Sequence, residues 1–133
     1  MNPDMKFLVV DDFSTMRRII KSVLNELGYS NITEADDGST ALPLLRDGNF
    51  DFLITDWNMP DMPGLELLKA VRANDKLAKL PVLMLTAEAQ REQIVAAAKA
   101  GVSGYIIKPF TADVLKKKLT TILSTIPSNA AAH

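Results

Sequence analysis

Four apolar runs in this chain each end on a polar residue able to handle a phosphoryl group. Phe7-Leu8-Val9-Val10 leads into Asp11-Asp12, Phe52-Leu53-Ile54-Thr55 into Asp56, Val82-Leu83-Met84-Leu85 into Thr86, and Tyr105-Ile106-Ile107 into Lys108. If the runs are neighbouring parallel strands, their carboxyl ends gather three carboxylates, one hydroxyl and one ammonium in the crevice where open α/β sheets bind ligands. Clustered carboxylates repel and are costly without a cation. An all-oxygen set with few protein ligands suits Mg2+, which keeps waters and phosphate oxygens in its shell. A carboxylate such as Asp56, alone at the end of an apolar strand, can act as a nucleophile and form an aspartyl phosphate. Phosphoryl transfer demands mainly position and charge neutralisation. Mg2+ and Lys108 would supply the neutralisation, and Thr86 would donate a hydrogen bond. Plainer readings stand beside these: Asp11-Asp12 as caps of a following helix, Thr86 as a helix cap, Lys108 as a solvated lysine.

Other chemistries find no residues. The single histidine is His133, in the tail, so neither a Ser-His pair nor a histidine metal site is available. There is no cysteine, hence no disulfide frame and no thiol chemistry. No Walker A sequence or glycine-rich dinucleotide fingerprint occurs, and Gly101-Val102-Ser103-Gly104 reads as a turn. The 133 residues suit one domain, and a net charge of −1 with 23% charged and 47% hydrophobic residues fits an ordinary globular protein with no field directed at nucleic acid or membrane. No apolar stretch approaches the ~20 residues that span a bilayer, and Met1-Asn2-Pro3-Asp4 lacks the pattern of a secretory signal. From Ile106 onward four lysines face one aspartate, a local basic bias that reads most simply as a solvated helix face.

The elements that must position these residues follow from periodicity. Residues 6–11, 32–36, 51–56, 81–86 and 103–108 read as strands, the first apolar throughout as in a buried parallel sheet. Between them lie helical patterns. Ser14 is the expected N-cap of the first, with Met16, Ile19, Ile20, Val23, Leu24 and Leu27 at helical spacing and Gly28 closing it. Ser39 is the expected cap of the second, which places Pro43 in its first turn, where the missing N–H costs least, and which ends near Gly48. The breaker-rich loop Asn58–Gly64 precedes a third helix with Leu65, Leu68 and Val71 on one face. Residues 88–100 form an Ala-rich fourth helix, and Thr111 caps a fifth carrying Val114, Leu115, Leu119, Ile122, Leu123 and Ile126. Strict alternation of strand and helix with short loops argues an α/β parallel sheet covered on both faces. The tail Ser128–His133 is read as disordered or as an expression remnant.

With those residues aligned, the chain from Lys6 to Ile126 resembles the receiver domains of bacterial two-component response regulators, and among them the CheY-type chemotaxis regulators. The resemblance is carried by the stretch from Phe7 through Asp11-Asp12 to Arg18, by Thr55-Asp56-Trp57-Asn58-Met59-Pro60 and by Lys108-Pro109-Phe110. It implies one receiver domain over residues 1–127 with a flavodoxin-like five-stranded sheet in the order 2-1-3-4-5. It implies a phosphoacceptor at Asp56, Mg2+ held by Asp12, Asp56 and the backbone carbonyl of Asn58 with Asp11 acting through a water, and phosphoryl contacts from Thr86 and Lys108. Thr86 and Tyr105 match the family's switch pair, although Tyr105 also reads as a plain strand-edge aromatic, and the Lys108–Pro109 bond is expected to be cis. Ala89, Arg91, Ile94, Tyr105 and Lys118 fall on the family's output face.

The implied partners are a histidine kinase as phosphodonor, a flagellar motor switch protein and a phosphatase. The implied setting is a cytoplasmic monomer that binds neither nucleic acid nor membrane. The expected activity is that of a signalling module with intrinsic autophosphorylation and autodephosphorylation, tuned at Asn58 and Glu88, and not that of a turnover enzyme. Two features depart from the family's pattern: Pro63 stands where an aspartate is common, and Lys116-Lys117-Lys118 makes the last helix basic. Two rivals remain at this stage. One is a receiver serving a phosphorelay or acting as a phosphate sink. The other is a phosphatase using Asp56 as nucleophile, for which Asn58 stands where a second aspartate is usual.

Overall fold

A segment that is apolar at every position has no face to offer water, so it forms a strand only inside a sheet covered on both sides. The computed structural model describes residues 3–87 and 90–126, and its elements run β1 (Phe7–Val10), α1 (Ser14–Glu26), β2 (Ile32–Ala35), α2 (Gly38–Asp47), β3 (Phe52–Asp56), α3 (Gly64–Ala73), β4 (Val82–Thr86), α4 (Arg91–Lys99), β5 (Gly104–Ile107) and α5 (Ala112–Ser124). The expected boundary at residue 127, the tail, and Glu88 and Ala89 lie outside the described residues. β1, β3 and β4 are buried at every position and occupy the centre; β2 and β5, partly exposed, form the edges. All pairs are parallel and the order is β2-β1-β3-β4-β5, as expected.

Alternation along the central strands divides the core in two. Leu8, Val10, Leu53, Val82 and Met84 face α2, α3 and α4, meeting Ala41, Leu45, Leu67, Leu68, Val71 and Ala97. Phe7, Val9, Phe52, Ile54, Leu83 and Leu85 face α1 and α5, meeting Ile20, Val23, Leu24, Leu115, Leu119 and Ile122. Register places Val10 beside Thr55, Asp56 beside Leu85 and Thr86 beside Ile107. The polar strand ends therefore emerge along one edge, which is the condition the site requires.

Several local expectations are corrected. Ser14 is the first residue of α1 and not its cap; the cap position is Phe13, without a side-chain bond. α2 is capped by Asp37, whose carboxylate accepts from the N–H groups of Ser39 and Thr40, because the short Asp side chain reaches both donors. With the helix starting at Gly38, Pro43 lies inside it and not in its first turn. On α3 the buried residues are Gly64, Leu67, Leu68 and Val71, with Leu65 only half-buried. Ile19 and Val114, read as core-facing, are 42% and 45% exposed. The described part of the fourth helix is shorter than expected, beginning at Arg91. Gly28 closes α1 at φ 98°, a left-handed conformation that glycine adopts without steric cost, and Thr111 caps α5 by accepting from Val114 N–H.

Gly64 matters for another reason. Its N–H donates to the Trp57 carbonyl at 2.9 Å, closing the loop after β3, and a Cβ there would collide with the carbonyl oxygen of Asp56. The start of α3 sits this close to β3 only because no side chain intervenes. Gly64→Ala is expected to lower the unfolding free energy by about 1–3 kcal/mol through overpacking, read as a lower urea midpoint at unchanged slope.

Candidate functional site

The sheet's hydrogen bonds extend one residue past its strands and aim the site. Asp11 N–H donates to the Ala35 carbonyl, Trp57 N–H to Leu85, and Lys108 N–H to the carbonyl of Thr86 at 2.6 Å. The bond preceding Pro109 is cis, as expected. Lys108 Nζ then lies 3.3 Å from Asp11 Oδ2 and 3.1 Å from Asp56 Oδ1. Carboxylate oxygens of Asp11, Asp12 and Asp56 all lie within 4.8 Å of one another, with Asp12 exposed and the other two buried. Three carboxylates against one ammonium leave two negative charges uncompensated, and the donor set is oxygen throughout. The cluster thus fits a hard divalent cation in both charge and donor type.

Burial pushes the Asp11 carboxyl above its usual range, against the opposing pull of the Phe13 N–H and Lys108. Burial likewise raises Asp56, and the neighbouring Asp11 charge raises it further, while Lys108 and the Trp57 N–H act in the opposite sense. Asp56 Oδ1 accepts from both Trp57 N–H, at 2.9 Å, and Lys108. Asp11 Oδ1 accepts from Phe13 N–H at 2.9 Å, so Asp11 orders the start of α1 and lines the pocket at once. Asp11 does not cap α1, whose cap position is Phe13; its Oδ1 braces the turn before the helix and its Oδ2 meets Lys108.

The other expected residues are placed as follows. Thr86 is fully buried at the end of β4, backbone-bonded to Lys108. Asn58 is exposed on the loop two residues beyond Asp56. Tyr105 is half-buried on β5, and its ring meets Trp57 edge-on at a centroid distance of 6.3 Å and 76°. Arg91 and Ile94 are exposed on α4 and Lys118 is half-buried on α5; Ala89 lies outside the described residues. Lys116 pairs with Glu26 at 2.7 Å, tying α5 to α1.

Sequence reasoning missed two features. Arg17 Nη1 donates to the Asp11 carbonyl at 2.6 Å while its Nε holds Glu34 at 2.9 Å, which fastens the Asp11-Asp12 turn to β2. Nothing in a helical arginine's spacing announces a contact to a carbonyl six residues back. The second is apolar exposure on the α4, β5 and α5 face. Ile94, Val95, Ile107 and Val114 are four of the six large hydrophobic residues exposed among the described ones, and a strand-edge isoleucine pointing to water is invisible until the edge is known.

Residues 7–120 match the response regulator receiver domain model. The chain belongs to the response regulator receiver family. It is 65% identical over 122 residues to the chemotaxis protein CheY of Pseudomonas aeruginosa, covering 92% of this chain and 98% of that protein. It is 62% identical over 126 residues to the chemotaxis protein CheY-3 of Vibrio cholerae, covering 95% and 97%. Among solved structures, the chemotaxis response regulator CheY4 of Vibrio cholerae superposes with a TM-score of 0.83 at 36% identity, over 90% of this chain and 98% of that one. The receiver domain of a Pseudomonas aeruginosa sensor histidine kinase, described with a magnesium ion coordinated in its active site cleft, does so with a TM-score of 0.81 at 25% identity, over 92% and 99%.

A consequence for stability follows from the raised carboxyls. A carboxyl whose folded pKa lies above its unfolded value favours folding only while protonated. That contribution is complete below the ordinary value of 3.8 and is lost as pH rises through the raised folded value. In chelator, Asp56→Asn is expected to stabilise the protein at pH 7 by on the order of 1 kcal/mol, because Lys108 keeps Asp11 while one repelling charge is gone. The gain is expected to vanish near pH 3, and paired urea titrations at the two pH values check it.

Proposed function

We propose that this receiver is a phosphorylation-controlled binding module in which Asp56 accepts a phosphoryl group with Mg2+ present. The observation that supports this most directly is Lys108 Nζ bridging Asp11 and Asp56 with the Asp12 carboxylate in reach. Asp56 Oδ1 is already engaged by Trp57 N–H and Lys108, which leaves Oδ2 as the atom whose lone pair attacks phosphorus. The bond formed is Oδ–P, and the bond broken joins phosphorus to its donor, a phosphohistidine or small acyl phosphate. Asp12, Asp56 and the Asn58 carbonyl would hold Mg2+, with Asp11 behind a water; the ion supplies neutralisation of the phosphoryl oxygens. Lys108 adds a second positive charge at the same oxygens, and the Thr86 hydroxyl donates to them. The magnesium ion in the related histidine-kinase receiver supports this choice of metal. Asn58 in place of a second aspartate argues against phosphatase turnover.

The added charge would reach the surface through Thr86 and Tyr105. Movement of Thr86 toward the phosphoryl group opens space that the Tyr105 ring, now edge-on to Trp57, turns to fill. The face formed by α4, β5 and α5, with Arg91, Tyr105 and Lys118 and the exposed aliphatic residues Ile94, Val95, Ile107 and Val114, is the surface that changes. The similarity to chemotaxis CheY proteins makes a histidine kinase the donor and the flagellar motor switch the target in this reading. With Mg2+ and acetyl phosphate, intact-mass spectra are expected to show an adduct of about 80 Da that is absent in Asp56→Asn. The phosphorylated protein is expected to bind the motor switch protein about 5–150-fold more tightly. A phosphoprotein with unchanged motor affinity would favour the phosphorelay or sink role.

The metal's role is checked separately. Mg2+ binding only the folded state raises the melting temperature by mass action. Asp12→Asn is expected to remove most of that rise while leaving the metal-free melting temperature within a few degrees, since Asp12 is exposed. Calorimetric scans across a Mg2+ series read both quantities.

A further inference from the structure

Away from the acidic pocket, α3 and α4 turn a second charged surface outward. Lys69, Arg72 and Ala73 on α3 face Ala96, Lys99 and Ala100 at the end of α4 across a groove of about 570 Å³. Three cations line it and no carboxylate does. Arg72 is held by carbonyls alone: Nε and Nη2 donate to Gly101 at 3.0 and 2.8 Å, and Nη1 donates to Leu80 at 2.6 Å and Ala78 at 3.2 Å. Its guanidinium is fixed in place, and among the described residues no acid pairs with it. Lys69 and Lys99 are exposed and make no ion pair among the described residues. A basic residue near a helix C-terminus complements that helix's dipole, which accounts for each helix singly. It does not account for two helices aiming their cations into one shared groove.

We propose that this groove docks an acidic protein segment. Charge complementarity selects the sign of the partner, and the floor selects its kind. Methyl groups of Ala73, Ala96 and Ala100 let a peptide backbone approach closely, and they offer no ring on which a nucleotide base could stack. Both helices present their carbonyl ends here, so the backbone N–H donors that cradle phosphate at helix N-termini are missing. Carboxylates carried on a chain are what flexible ammonium groups on either rim can reach, with the segment's small apolar side chains on the floor. Because α4 also forms one wall of the surface proposed to respond to phosphorylation, an occupant of this groove would touch the same helix from its other side. The docking itself does not rest on the phosphoacceptor reading.

The test uses the full chain, 15N-labelled, and a synthetic peptide of about a dozen alternating glutamates and alanines. Titration is expected to shift the amide signals of Lys69–Ala73 and Ala96–Gly101 first. The double variant Lys69→Glu/Lys99→Glu, two exposed side chains outside the acidic pocket, is expected to weaken binding at least tenfold, and Lys69→Gln/Lys99→Gln to weaken it less. Shifts centred on Lys116–Lys118, or an affinity indifferent to the double variant, would overturn the assignment. Pyrophosphate producing the same shifts at lower concentration than the peptide would also overturn it, making the groove a small-anion site.

Discussion

The ammonium of Lys108 sits between two buried carboxylates, and the geometry and charge of the pocket are organised around that contact. Asp11 and Asp56 are almost wholly withdrawn from solvent, where an unpaired charge is strongly disfavoured. One cation cannot satisfy two carboxylates and a third beside them, so the pocket is held in deficit. That deficit is a structural cost, and in the proposed function it is also what would draw a divalent cation and leave a carboxylate ready to bond with an electrophilic phosphorus once positive charge surrounds it.

The cost is tolerable because the surroundings are rigid. Three central strands buried on both faces anchor the bases of Asp11, Asp56 and Thr86, and hydrogen bonds continuing beyond the strand ends fix Trp57 and Lys108 relative to them. Arg17 holds the Asp11-Asp12 turn from outside, and Gly64 lets α3 close over the end of β3. The edge contact between Trp57 and Tyr105 joins the pocket to β5. An apolar, tightly packed sheet therefore carries a strained polar edge, the usual division between scaffold and site in α/β folds.

Much of this was legible in the chain because its signals are local. A strand buried on both faces must be apolar at consecutive positions, so β1, β3 and β4 announce themselves, and their last residues name the pocket. Cap positions are less legible, because several neighbouring residues qualify by type: α2 is capped by Asp37, two residues before Ser39, and α1 follows Phe13, whose N–H donates to the Asp11 carboxylate. With the cap at Asp37 and not at Ser39, Pro43 falls inside α2 beyond its first turn. Exposed Ile19 and Val114 follow helical spacing but lie at the rim of their helices' buried stripes, where spacing alone cannot tell core from edge.

The residue types at the strand ends, the absence of histidine and thiol chemistry, and the alternation of strands with helices are properties of the sequence by itself, since each depends on neighbours within a few positions. Which strands lie side by side, and hence that Asp11, Asp56 and Lys108 meet within 3.3 Å, was decided only in the folded chain. So were the carbonyl cage around Arg72 and the shared basic groove of α3 and α4. These contacts join residues as many as 97 positions apart, and they exist only because parallel pairing and packing bring separate helices and strand ends into register.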